Sequence, residues 1–276
     1  MAPVKKRVLP GFGLSLGVTV TYLTLLLLLP LSALIIKASG QDAAALWAAV
    51  SSDEAVASYW VTFRSALAAS LVNAVMGTLL AWILVRYRFP TRAFWNAIID
   101  LPMALPGAVG GIALATVFAP HGWLGSFLEP LGLKVAYAEA GITVAIVFSG
   151  LPFVVRSVQP VLEGLDPAQE EAARLLGAKP AATFVRVLLP ALLPSIVMGF
   201  TMAFARGVGE FGTVIFVTSN IPLKTEVVSR HIANLLEQYD LAGATAVGAV
   251  TLAASFALLL AINAAQAWQR RHERRS

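Results

Sequence analysis

The sequence predicts an all-α, polytopic membrane protein with six transmembrane helices, on three observations. Charge is scarce: 13% of the 276 residues are charged and 58% are hydrophobic, where a soluble domain carries roughly a quarter charged residues. The apolar residues gather in uncharged runs long enough to cross about 30 Å of hydrocarbon as helix. The basic residues stand at the ends of those runs, and most of them fall on one side of the predicted membrane.

The first span is placed at 14–36. Lys5-Lys6-Arg7 followed by an apolar run resembles a signal peptide, but the uncharged stretch from Val8 to Ile36 is long enough to remain as a span. The second lies at 62–85, around the uncharged run Ser65 to Val85, and the third at 98–118. The fourth and weakest, at 140–160, extends slightly past its uncharged core from Ala140 to Val155. The fifth is placed at 190–218 and the sixth at 241–266. Together they make one transmembrane domain over 14–266, between an N-terminal tail at 1–13 and a basic tail at 267–276.

Charge sets the direction. Fourteen of the twenty basic residues fall on one side: Lys5, Lys6, Arg7, Arg86, Arg88, Arg92, Arg156, Arg174, Lys179, Arg186, Arg270, Arg271, Arg274 and Arg275. This excess is expected to face the cytoplasm, with both termini and the long polar loop at 163–190. The opposite loops carry Asp42, Asp53, Glu54, Glu129, Glu139, Glu226, Glu237 and Asp240. The net charge of +5 therefore reads as topology, not as a nucleic-acid surface. With no cysteine there is no thiol chemistry, and His121, His231 and His272 are too scattered for a metal site. His231 is expected to be a polar residue of an external segment that either docks a partner or caps the bundle. The QRRHERR end reads as an anchor on anionic lipid.

Three stretches carry functional signals. The third span opens DLPMALPGAVGGIAL, where Pro102 and Pro106 each remove a backbone donor and Gly107, Gly110 and Gly111 allow close approach. Two readings stand open: a kinked, tightly packed helix, or a broken helix lining a path. In the fifth span Arg206 and Glu210 stand four apart and can pair on one helix face. Unpaired, the arginine would cost roughly 2.5 kcal/mol or more in hydrocarbon. That pair is either a structural bridge at an interface or gate, or a positive group met by a passing anion.

The third stretch is EAARLLGAKPAATFVRVLLP, from Glu171 to Pro190. Asp166-Pro167-Ala168-Gln169 forms a helix start, with Asp166 as cap and Pro167 at the first position. Gly177 offers a stop, and a second short helix is expected from Pro180 to about Leu188, ended by Pro190. Ala172, Leu175 and Leu176 would share one face of the first helix, and Phe184, Val187 and Leu188 one face of the second. Such a pair of helices either docks into a partner's groove or lies on the lipid headgroups.

Glu171-Ala172-Ala173, Gly177, Val187 and Leu189-Pro190 resemble the signature loop of binding-protein-dependent ABC importer permeases. DLPMALPGAVGGIALATVF, SGLPFVVRSVQPVLEGLDPAQEEAARLLGA and FARGVGEFGTVIFVTSNIPLKTEVV extend the likeness over nearly the whole chain, toward the sulfate/thiosulfate branch of CysT type. The resemblance implies a type I, MetI-like permease fold in the bacterial inner membrane, with a cytoplasmic coupling helix that sits in a cleft of the ATPase. Glu171, Ala172, Ala173, Gly177, Leu189 and Pro190 would then couple to the ATPase, and Pro102, Pro106 and Gly110 would belong to a pathway helix. The implied partners are a second, CysW-like permease subunit, two CysA-like ATPase subunits and a periplasmic sulfate/thiosulfate-binding protein. The chain itself is expected to be no enzyme and to bind no cofactor. It has no G-x-x-x-x-G-K-[ST] loop, so ATP and Mg would belong to the partner ATPase. Molybdate or tungstate is the alternative cargo. A secondary transporter would need internal repeats and a midplane ion site, and neither is evident.

Overall fold

The computed structural model describes residues 12–273, with side chains as far as residue 264. Lys5-Lys6-Arg7 and the final Arg274-Arg275 lie outside it. Every regular element among the described residues is helical. Five helices are long and apolar enough to cross a membrane: α1 Phe12–Ser39, α3 Asp53–Arg86, α7 Glu139–Gly164, α9 Pro180–Val208 and α12 Leu241–Glu273. The remaining apolar stretch is a pair, α4 Arg92–Ala104 and α5 Gly107–Phe118, bent by 115°. Short helices fill the connections: α2 Ala43–Val50, α6 Gly125–Leu128, α8 Pro167–Leu175, α10 Val214–Val217 and α11 Val228–Glu237.

The core is made by α3, α7 and α9. In lipid there is no water to drive helices together, so contact depends on close packing of small residues. Ala66, Ala69 and Ala81 of α3 are fully buried against Ala145, Val154 and Val155 of α7 and Ala203 of α9. A β-carbon at Gly207 would stand 2.5 Å from Ile146, and one at Gly77 2.8 Å from Val154. By contrast α1 buries only Ala38 and turns its leucines outward, as a lipid-facing helix does.

Two helices carry a wider turn at the same kind of place. The π segments Thr24–Leu28 and Phe184–Leu188 are followed by Leu29-Pro30 and Leu189-Pro190. Within an α-helix a proline ring crowds the carbonyl four residues back and donates nothing. In both helices the N–H just before the proline reaches five residues back, from Leu29 to Thr24 and from Leu189 to Phe184. That loosened turn lets the helix run on through the proline.

This corrects one expectation. Pro190 does not end a short helix; it continues α9, which runs from Pro180 to Val208 where the sequence places a fifth span at 190–218. An apolar window begins after Arg186, but that side chain is exposed and the helix tolerates it at its first turns. The segment beyond Val208 unwinds over Gly209 to Gly212. The second span also begins earlier than 62–85, because Ser52 caps the helix by accepting the Ala55 N–H and Asp53 and Glu54 fill its first turn. The third, expected at 98–118, is divided by the break at Leu105-Pro106.

Candidate functional site

The 163–190 loop is built around α8. The Asp166 carboxylate accepts the Ala168 N–H at 2.9 Å and Pro167 takes the first helical position, so the helix start is fixed as its residues require. The other end is a Schellman turn. The N–H of Gly177 donates to Arg174 O at 2.9 Å and that of Ala178 to Ala173 O at 3.0 Å. Gly177 has φ +81° and open space around it, so the requirement for glycine here is conformational, not steric.

No residue of α8 is buried. Glu171 and Ala172 are exposed, Ala173 is half-buried, and Leu175 and Leu176 are each 89% exposed at the tip. Two adjacent leucines held almost wholly in the open by a capped helix and a rigid turn make a preformed apolar knob. The second half of the loop behaves differently. Phe184, Val187 and Leu188 turn inward, with Leu188 buried among Leu192, Leu162 and Leu84. Leu189 is half-buried and Pro190 exposed on the flank of α9. The knob is thus one helix, and the residues from Pro180 onward are the root of a span.

A contact missed in the sequence ties α8 to the bundle. Glu170, next to Glu171, has its carboxylate 2.8 Å from Nη2 of Arg86, the last residue of α3. Their side chains are only 13% and 19% exposed. In the sequence Arg86 serves as a topology marker, and the doublet Glu170-Glu171 does not say which carboxylate turns inward.

A second cluster joins α4 to α7. Arg156 makes five hydrogen bonds: Nε and Nη2 to the two oxygens of Asp100, Nη1 to Asn96 Oδ1 and Gln159 Oε1, and Nη2 to Asn96 O. The rule that charges inside a membrane protein find partners could have linked Asp100 to Arg156. At the same end Arg92 faces Glu163 at 3.6 Å.

The proline-rich stretch is a broken helix, not a kinked one. Pro102 lies inside α4 and Pro106 caps α5, with Leu105 and Pro106 both extended between them. The glycines bring α5 against the unwound end of α9. A β-carbon at Gly107 would meet Gly212 at 3.2 Å, and one at Gly111 would meet the carbonyl of Thr213 at 2.4 Å. Gly110 is buried against the ring of Phe148.

Beside this junction Arg206 Nη1 pairs with Glu210 Oε2 at 2.5 Å. Glu210 lies beyond the end of α9, in the turn, so the pair bridges helix and turn instead of two helical turns. Its side chain is 1% exposed and its other oxygen accepts the Thr213 N–H at 3.0 Å, whereas the Arg206 side chain is 41% exposed. The carboxylate is the anchored member.

At the far end His231 is not a loop residue. It is buried on α11 with Nδ1 3.6 Å from Glu226, and Asn234 donates to the same carboxylate group. Thr62 Oγ1 accepts the Val228 N–H at 2.8 Å, docking the start of α11 onto α3.

Residues 73–276 match the family described as binding-protein-dependent transport system inner membrane component. The chain is 48% identical over 266 residues to the sulfate transport system permease protein CysT of Salmonella typhimurium, covering 96% of each. It is 49% identical over 261 residues to CysT of Escherichia coli strain K12, covering 95% of this chain and 94% of that one. Among solved structures it resembles a chain of a bacterial ABC transporter for the acidic polysaccharide alginate, with TM-score 0.73 and 17% identity over 90% of this chain and 92% of that one. It also resembles a chain of the MetNI methionine ABC transporter, with TM-score 0.57 and 19% identity over 84% of this chain and 99% of that one. The exposed knob between two spans, the broken third span and these likenesses agree, and the chain belongs to the binding-protein-dependent inner membrane components, with the fold of type I ABC importer permeases.

Proposed function

We propose that this chain is the permease subunit of an ATP-driven importer that carries sulfate, and thiosulfate, into the cytoplasm. The observation that carries the coupling role is the pair of leucines, 175 and 176, each 89% exposed on a helix fixed at both ends. That knob inserts into a cleft of a partner ATPase, which binds ATP and Mg; closing of two such ATPases moves the permease between its two access states. A second, homologous permease completes the pathway, and a periplasmic binding protein delivers the anion. Both termini and α8 face the cytoplasm, supported by the basic residues gathered on that side. The sulfate assignment rests on the likeness to relatives named for sulfate transport. Arg206 acts as part of a structural pair beside the α4–α5 break, since a guanidinium neutralised by an anchored carboxylate attracts an anion weakly.

The test is uptake of labelled sulfate by the complete transporter in proteoliposomes, with its binding protein, ATP and excess molybdate as competitor. ATP-dependent sulfate uptake that resists molybdate is expected. Gly177→Pro should lower it at least tenfold, because proline holds φ near about −65° and cannot form the left-handed turn. Uptake of molybdate in place of sulfate would keep the architecture and replace the cargo; uptake without ATP would remove the importer reading.

A further inference from the structure

We propose that Arg86 and Glu170 form the tie through which movement of α8 is passed into the core helix α3. This rests on the reading of α8 as the helix that docks on an ATPase. A docking helix does nothing for transport unless something joins it to the helices that move. Apart from chain continuity and the first turns of α9, α8 offers little to hold it, since none of its residues is buried. Glu170 is the exception in direction: its carboxylate is drawn in to Arg86 while Glu171 beside it stays exposed.

The partner is well placed for the task. Arg86 is the last residue of α3, the helix that runs through both main parts of the buried core. One turn earlier Trp82 packs against Phe184 of α9, ring centroids 5.6 Å apart. The terminal turn of α3 therefore grips both flanks of the loop: α8 before the Gly177 turn through Arg86, and α9 after it through Trp82. A displacement of the knob thus reaches the end of α3 from both flanks of the loop.

The contact is also incomplete. Nε and Nη2 of Arg86 and Oε1 of Glu170 are buried, yet none makes an aligned hydrogen bond among the described residues. The two charges meet at 2.8 Å, but off the direction that a hydrogen bond requires. Buried donors and acceptors left unaligned are costly, so a shift of α8 that aligned them would strengthen this contact, whereas any shift of a saturated contact weakens it. That is the property of an element that distinguishes two positions of a helix.

The experiment uses the complete transporter and compares Arg86→Gln, Glu170→Gln, Arg86→Lys and the charge swap R86E/E170R. Three quantities are read: co-purification of the ATPase, ATP hydrolysis, and sulfate taken up per ATP. The Gln variants are expected to keep the ATPase bound and to hydrolyse ATP within about twofold of the parent, while uptake per ATP falls about tenfold. The Lys variant and the swap should restore at least half of it. Glu170→Gln is the safer variant, because it leaves Arg86 at a helix C-terminus, where a positive charge is favoured. Uptake per ATP unchanged in Glu170→Gln would overturn the tie. So would a swap that assembles and hydrolyses ATP yet stays uncoupled. Failure of the parent protein to show ATP-dependent uptake would instead sink the importer reading, so the two failures are distinguishable.

Discussion

Two arginines hold the α8 end of this bundle together, and they do so in opposite ways. Arg156 engages each of its N–H groups, five bonds to Asp100, Asn96 and Gln159. Arg86 meets one carboxylate and leaves buried nitrogens unaligned. A saturated guanidinium with a two-oxygen grip fixes both position and orientation. One held by charge alone fixes proximity and leaves orientation free. The first joins α4 to α7, two parts of the membrane body; the second joins that body to the exposed knob. Rigid fastening and adjustable fastening thus fall where a transporter needs each.

The contrast can be broken by measurement. The largest effect is expected from Arg156→Ala, which strands Asp100 and removes the tie between α4 and α7. Because both side chains are partly exposed, the loss of stability is set at about 1–2 kcal/mol, read from thermal unfolding in detergent. Arg86→Gln should cost less, about 0.5–1 kcal/mol, because no residue of α8 is buried as a whole, so the helix can swing out and hydrate the Glu170 carboxylate that the present contact covers. An Arg86 variant less stable than the Arg156 variant would reverse the assignment of rigid and adjustable. Smallest of all is the interaction between the two: the double variant should be additive within about 0.5 kcal/mol, as expected for sites without shared partners. A larger coupling would mean that strain at one arginine is relieved at the other.

The sequence made most of this architecture readable, and the parts it hid have definite causes. Long uncharged runs announce spans because hydrocarbon tolerates few ions, and α1, α3, α7, α9 and α12 are legible on that ground. The same rule misplaced the start of α9, since Arg186 closes an apolar window although it sits exposed at a helix end. Gly177 was legible because its turn depends only on local conformation. The Asp166 cap was legible for the same reason. The partner of Arg86 was not, because choosing between Glu170 and Glu171 depends on how α8 is rotated against α3. The pairing of Arg206 with Glu210 was found from spacing, although the helix that justified the spacing ends before Glu210.

That rotation has a source in the chain. The wide turn at Phe184–Leu188 holds one residue more than an α-helical turn would, and one residue of α-helix corresponds to about 100° about the axis. Its presence therefore works like the setting of a dial. It sets the direction in which the first turn of α9 meets the Gly177 turn, while the span beyond it stays locked in the bundle. Removing a single residue there would leave the span beyond Leu189 in place, yet would turn Phe184 away from Trp82 and re-aim the turn that presents Leu175 and Leu176.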